Sequence, residues 1–186
     1  IRSEIWACIS PGDPQLAAAT AWKDAVLDHA GGEGMHGEMF WAAVESAAFV
    51  INDPKQLIEI GLNMIPLSSA ISRVTREVLW CHENGLTWKE TRKRIILYYG
   101  HNSPCHAPQN HGFTLLGWLY GNDFGDKLCK AVNCGYDTDC TAATLGALLG
   151  ILNGLEYIPK KWSDPIGEKI VLHLLTRKGN LKNPPR

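Results

Sequence analysis

Two Asp-Pro steps, Asp13-Pro14 and Asp53-Pro54, constrain this chain more than any other feature. An aspartate at the N-cap accepts a hydrogen bond from a free N–H of the first helical turn. Proline at the first helical position gives up an N–H that would have no partner there. Each step is followed by a helix-forming run, "QLAAATAWKDAVLDH" to His29 and "KQLIEIGLNMI" up to Pro66. Between them, "MHGEMFWAAVESAAFVIN" is alanine-rich with large apolar groups at Met39, Phe40, Val44, Phe49 and Val50, and reads as a buried helix. Ser68 or Ser69 caps "AISRVTREVLWCHEN", which Gly85 ends in a left-handed turn. Thr87 and Glu90 form a capping box ahead of "WKETRKRIILYY" and Gly100. "HNSPCHAPQN" contains two prolines and no periodicity and reads as a loop, with Asn110 capping "HGFTLLGWLY". A helix over about Phe124 to Val132 leads into "CGYDTDCTAATLGALLGILNG"; a short apolar "KIVLHLL" and a polar tail follow. No series of period-two strands recurs, so the expectation is an all-α protein with one helical domain over residues 1–186.

Composition narrows the function. Apolar residues make up 45% and charged residues 20%, which supports a buried core and excludes a disordered chain. Eighteen basic and 19 acidic residues leave a net charge of −1, so no field draws the chain to nucleic acid. Lys89, Arg92, Lys93 and Arg94, with Glu83 and Glu90 nearby, read as a solvated helix face. There is no unbroken apolar run of the roughly 18 to 20 residues a membrane span needs, and no basic start followed by an apolar stretch; the chain reads as soluble, and as cytoplasmic. Its six cysteines form no Cys-x-x-Cys pair and read as free, packed thiols, while His101, His106 and His111 are too irregularly spaced for a zinc site.

The stretch from Cys134 to Gly154 carries the chemistry. Asp-x-Asp in a kinked or extended turn sends two carboxylates to the same side, which suits a hard cation such as Mg²⁺ that takes oxygen ligands and keeps several waters. Thr138 then points to the backbone or to a substrate. The competing reading is that Asp137 or Asp139 only caps the helix that follows. Ala142, Gly146, Gly150 and Gly154 fall at intervals of four on one face of that helix, a smooth groove where another backbone can approach, so the helix is expected to be central.

"GYDTDCTAATLGALLGILNG" resembles the second metal-binding motif of the ADP-ribosylglycohydrolase family, which includes the dinitrogenase-reductase-activating glycohydrolases; there a Gly-x-Asp-x-Asp-Thr turn precedes a helix rich in Ala and Gly. "PGDPQLAAATAWKDAVLDH", "GEGMHGEMFWAAVESAAF" and "NHGFTLLGWLYGNDFGDKLCKAVNCGYDTD" resemble further family segments in the same order, and the last forty or so residues match less distinctly. The resemblance implies a compact, multi-helix orthogonal bundle with a two-Mg²⁺ centre that cleaves the glycosidic bond between the ribose anomeric carbon and a protein side chain or other acceptor. The substrate would be an ADP-ribosylated protein or an ADP-ribose-like small molecule. By position, Asp137 and Asp139 would ligate Mg²⁺ and His29 would lie near the substrate cleft.

Further candidates come from the residues themselves. Glu33 suits a ribose hydroxyl or a helix cap, "AGGEGM" is a phosphate-approaching loop or an ordinary turn, and Arg2 is a phosphate ligand or a salt-bridge partner. Two departures from the family stand out. Cys140 occupies the position of the family's third ligand, a threonine, and the family's upstream glutamate and Thr-Asp-Asp metal motif have no counterpart here. The chain is therefore expected to be the C-terminal two-thirds of such an enzyme, with catalytic groups upstream of Ile1 and little activity of its own. The alternative is a non-catalytic helical domain that binds a ligand or acts as a scaffold.

Overall fold

The structure, a computed structural model, describes residues 2–167, and these contain helices and no strand. In chain order the helices are α1 (Ser3–Cys8), α2 (Pro14–His29), α3 (Glu33–Ala47), α4 (Pro54–Asn63), α5 (Ala70–Glu83), α6 (Trp88–Tyr99), α7 (Ala107–Tyr120), α8 (Phe124–Val132), α9 (Thr138–Asn153) and α10 (Lys160–Ser163), with a 3-10 turn at Leu155–Tyr157. "KIVLHLL" and the polar tail lie outside the described residues. No helix among the described residues is long and apolar enough to cross a membrane.

The boundaries follow the capping chemistry. Asp13 and Asp53 accept from the third helical N–H at 3.0 and 2.8 Å, Ser69 caps α5, and the Thr87–Glu90 box closes from both sides. One boundary differs from expectation. α7 begins three residues ahead of Asn110, at Ala107 after His106, because Pro108 sits in the first turn, where a missing N–H costs nothing. Asn110 is therefore inside the helix, and its amide is free for other work. The short α1 had no sequence signal: six residues with no capping side chain, held by packing against α2, α3 and α9.

α3 and α7 form the centre. α7 packs against α3, α5, α6, α8 and α9, and every residue from Pro108 to Trp118 is buried. Phe40, Phe113, Leu115, Leu116, Leu145 and Leu148 are fully enclosed, each contributing about 1.5 to 3 kcal/mol from burial. Where α2 meets α3 the contact is made of alanines, Ala17, Ala21 and Ala42, with Trp6 laid against them.

The glycine face of α9 is not the close-packed groove that its spacing suggests. α9 buries Thr141, Thr144, Leu145, Leu148 and Leu149, while Gly146 and Gly150 are only half-buried, and a Cβ at either would sit 3.9 Å from its nearest neighbour. Close approach occurs on α7 instead. A Cβ at Gly117 would fall 2.7 Å from the Ala131 Cβ and 2.8 Å from the Lys127 carbonyl, neither of which can swing aside. Gly117→Ala is accordingly expected to cost about 1 to 3 kcal/mol in urea unfolding. Gly146→Ala, gaining helix propensity with room for the methyl, should be neutral or stabilising by up to about 1 kcal/mol. The reverse order would show that α7 yields at this crossing.

Candidate active-site cleft

A cleft of about 480 Å³ opens between the N-terminal ends of α1, α3, α7 and α9. Its wall on one side is His29 and Asp28 at the end of α2, with Gly34 and Glu38 of α3; on the other it is Asp137, Cys140 and Thr141 at the start of α9. Asn110, His111 and Thr114 of α7 and Trp41 of α3 also line it, and Cys105 comes from the preceding loop. Of the sequence candidates, Arg2, His29, Asp137 and Cys140 are thus brought to one cavity from distant parts of the chain.

Asp137 stands at the N-cap of α9, after two consecutive left-handed residues, Gly135 (φ 79°) and Tyr136 (φ 65°). The non-glycine one costs about 1 kcal/mol. Arg92 of α6 holds the turn from behind, its Nε donating to the Cys134 carbonyl at 2.9 Å. Unlike Asp13, Asp53 and Asp123 at other N-caps, Asp137 makes no side-chain cap bond. Its carboxylate lies instead with those of Asp139 and the Cys140 thiol, one ligand atom from each within 4.8 Å of the others. Among the described residues no other trio of His, Cys, Asp or Glu side chains converges in this way. Burial, with added repulsion from Asp137 and Asp139, pushes the Cys140 thiol up to about 11, so it stays protonated at neutral pH.

Also lining the cleft, His29 donates from Nδ1 to Asp28 at 2.6 Å, since a carboxylate can only accept. Arg2 donates to the same Asp28 oxygen at 2.8 Å and pairs with Asp24 at 2.8 Å. The Arg2 bond first, then the His29 bond, lower the Asp28 carboxyl to about 2. Arg2 is therefore engaged in a salt-bridge cluster. The loop before α3 runs through three left-handed residues, Ala30, Gly31 and Gly32, and brings Gly34 so close to the His29 ring that any Cβ there would collide with it.

Three candidates do not line the cleft, the first being Asp139, which is exposed in the first turn of α9. Both Glu33 oxygens accept N–H bonds from the first turn of α5, Ala70 and Ile71 at 2.9 Å each, so Glu33 is a cap reaching across from α3 and not part of the cleft wall. Thr138 does not line the cleft either; its carbonyl accepts the Thr141 hydroxyl at 3.1 Å. In the other direction, Asn110, His111, Thr114 and Thr144 line the cleft without having been read as site residues. Their signal was present as polar groups recurring along two otherwise apolar helices, where a buried polar residue needs a partner or a purpose.

Comparison with known families gives one match: a family model described as ADP-ribosylglycohydrolase aligns with residues 1–183. It takes in the last forty or so residues, where the family segments had matched less distinctly, and lends no support to the narrower expectation of a C-terminal two-thirds. Neither curated proteins nor solved structures give a match.

Proposed function

Since the chain belongs to the ADP-ribosylglycohydrolase family, whose substrates contain ADP-ribose, we propose that it hydrolyses an ADP-ribosyl or related ribosyl bond with Mg²⁺ held at Asp137 and Asp139. The observation that carries this reading is the Asp137 carboxylate: it stands where three other aspartates cap a helix, forgoes the cap, lines the cleft, and has a carboxylate oxygen of Asp139 within 4.8 Å. Two carboxylates in a turn, with room for water, fit a hard octahedral cation. The soft Cys140 sulfur does not suit that ion as a ligand, so a water would complete its side of the shell. A bound Mg²⁺ contributes positive charge that polarises ligand oxygens and lowers the pKa of bound water.

The chain's own residues do the remaining work. The cleft is large enough for a nucleotide-sized ligand, and Trp41 gives it an apolar wall. His29, whose Nδ1 is bound to Asp28, has Nε2 left for a ligand hydroxyl. Thr141 and Thr144 already give their hydroxyl protons to Thr138 and Glu4, so toward a ligand they act as acceptors. The complete centre is expected to hold two ions about 3.5 to 4 Å apart; Asp137 and Asp139 would serve one of them.

Cys140, in place of a hydroxyl ligand, favours a second reading, a domain that keeps the cleft and binds its ligand without turnover. Release of ADP-ribose from an ADP-ribosylated protein by the full-length protein separates the two. Turnover with Mg²⁺ that is lost with a chelator and restored by added Mg²⁺ is the expected result. Ligand binding with no release under any divalent ion would establish the second reading.

A further inference from the structure

The acidic turn and the loop over residues 100–106 are joined by one side chain. Asn110, in the first turn of α7 and 8% exposed, donates from Nδ2 to the Pro104 carbonyl at 2.6 Å and to the His106 carbonyl at 3.1 Å. Its Oδ1 accepts the backbone N–H of Asp137 at 3.3 Å. The amide can take only this orientation, because a flip would set its oxygen against two carbonyls and its NH₂ against an N–H. Asn110 therefore grips the first residue of Asp-x-Asp on one side and, on the other, the two residues flanking Cys105 in the cleft wall. We infer that Asn110 is a positioning residue that couples metal at the Asp137–Asp139 turn to the order of the Cys105 wall, so that occupancy of one stiffens the other. This rests on the metal reading above.

The physical basis is that the turn before Asp137 is strained at Tyr136 and needs holding. Arg92 fixes its start at the Cys134 carbonyl, and Asn110 fixes its end at the Asp137 N–H. Without Asn110 the Asp137 and Asp139 carboxylates would sample more directions, and the ion would have to select among them. The loop has an anchor of its own in Gln109, which accepts from the His101 N–H at 2.8 Å and donates to the Ser103 carbonyl at 3.0 Å. Losing Asn110 should therefore loosen the end of the loop without unfolding it.

The test uses full-length protein carrying Cys8→Ser and Cys129→Ser, which leaves Cys105 as the exposed thiol among the described residues. Two quantities are read: Mg²⁺ affinity by titration calorimetry, and the rate at which a chromogenic disulfide reagent modifies Cys105 with and without Mg²⁺. In the parent, Mg²⁺ should slow modification. In Asn110→Ala, Mg²⁺ affinity should fall by roughly 10- to 100-fold, as when other outer partners of metal ligands are lost, and saturating Mg²⁺ should no longer protect Cys105. Asn110→Asp keeps an acceptor for the Asp137 N–H but loses both donor bonds, so it should retain Mg²⁺ affinity while leaving Cys105 unprotected. Parent-like affinity and protection in Asn110→Ala would overturn the coupling. Should the parent itself take up no Mg²⁺, the metal reading fails; the clasp is then judged in metal-free protein, where Asn110→Ala must modify Cys105 several-fold faster than the parent, and equal rates would overturn it.

Discussion

Asp139→Ala is expected to abolish measurable Mg²⁺ binding, weakening it beyond the roughly 10- to 100-fold that loss of an outer partner costs. Asp139 is exposed in the first turn of α9, so its removal leaves packing intact and the loss can be assigned to the ion. Asp137→Ala should do the same, with little cost to helix stability because Asp137 makes no cap bond. Asp123→Ala is the control with the opposite signature: it deletes a 2.8 Å cap bond, should cost about 1 kcal/mol of stability, and should leave Mg²⁺ affinity unchanged. Cys140→Thr restores a hydroxyl beside the pair and should tighten Mg²⁺, since a hard ion prefers oxygen to a soft sulfur. Calorimetric titration of the four variants reads the affinities, and urea unfolding reads the stabilities. Equal affinity in Asp139→Ala and the parent would end the metal assignment.

The contrast between Asp123 and Asp137 also marks how far the sequence could be read. Both precede helices, and spacing alone left capping and metal open for Asp137; only the coordinates show that one carboxylate turns back to its helix and the other does not. Helix starts were legible wherever a short polar side chain does the capping, as at Asp13, Asp53, Ser69 and Thr87, because that interaction spans three residues and is local. α1 and the start of α7 were not, since tertiary packing stabilises the first and a proline in the opening turn disguises the second.

Glu33 shows the same limit at the site. Its sequence context left a ribose contact and a helix cap open; it is a cap, and the N–H groups it serves are 37 and 38 residues away, which no local pattern reveals. The small-residue face of α9 failed for a related reason: periodicity identifies a face without saying what covers it, and the helix turned Leu145, Leu148 and Leu149 inward instead. The family resemblance placed His29 near a substrate cleft, and His29 and Asp137, 108 residues apart along the chain, line one cavity.

Against the opposite contribution of Glu45, a fully buried carboxyl whose pKa burial raises well above its ordinary value, His111 is expected to lower folding stability as pH drops from about 6.5. Its ring is buried against Phe40 and Trp41, and burial lowers its pKa from 6.5 to about 3. The hydrogen bonds explain why no proton is welcome. Thr75 gives its hydroxyl proton to the Ile71 carbonyl at 2.8 Å, so at 2.7 Å it can only accept from His111 Nε2, and a second proton would go to Nδ1, which has no partner among the described residues.

The sign follows directly. Between pH 6.5 and 3 the unfolded chain takes up a proton that the folded chain refuses, so stability declines as pH falls, by about 1.4 kcal/mol per pH unit from this one group. By pH 4.5 that amounts to about 3 kcal/mol, a large share of a typical domain's stability. His111→Gln keeps an N–H within reach of Thr75 and cannot titrate. Urea unfolding from pH 7 to 4.5 should therefore show a pH dependence that differs by close to one proton between the variant and the parent, whatever the variant's stability at pH 7. An unchanged slope would mean that the imidazole accepts its second proton in the folded state. The neutral ring at the cleft wall would then be a charged one under acid.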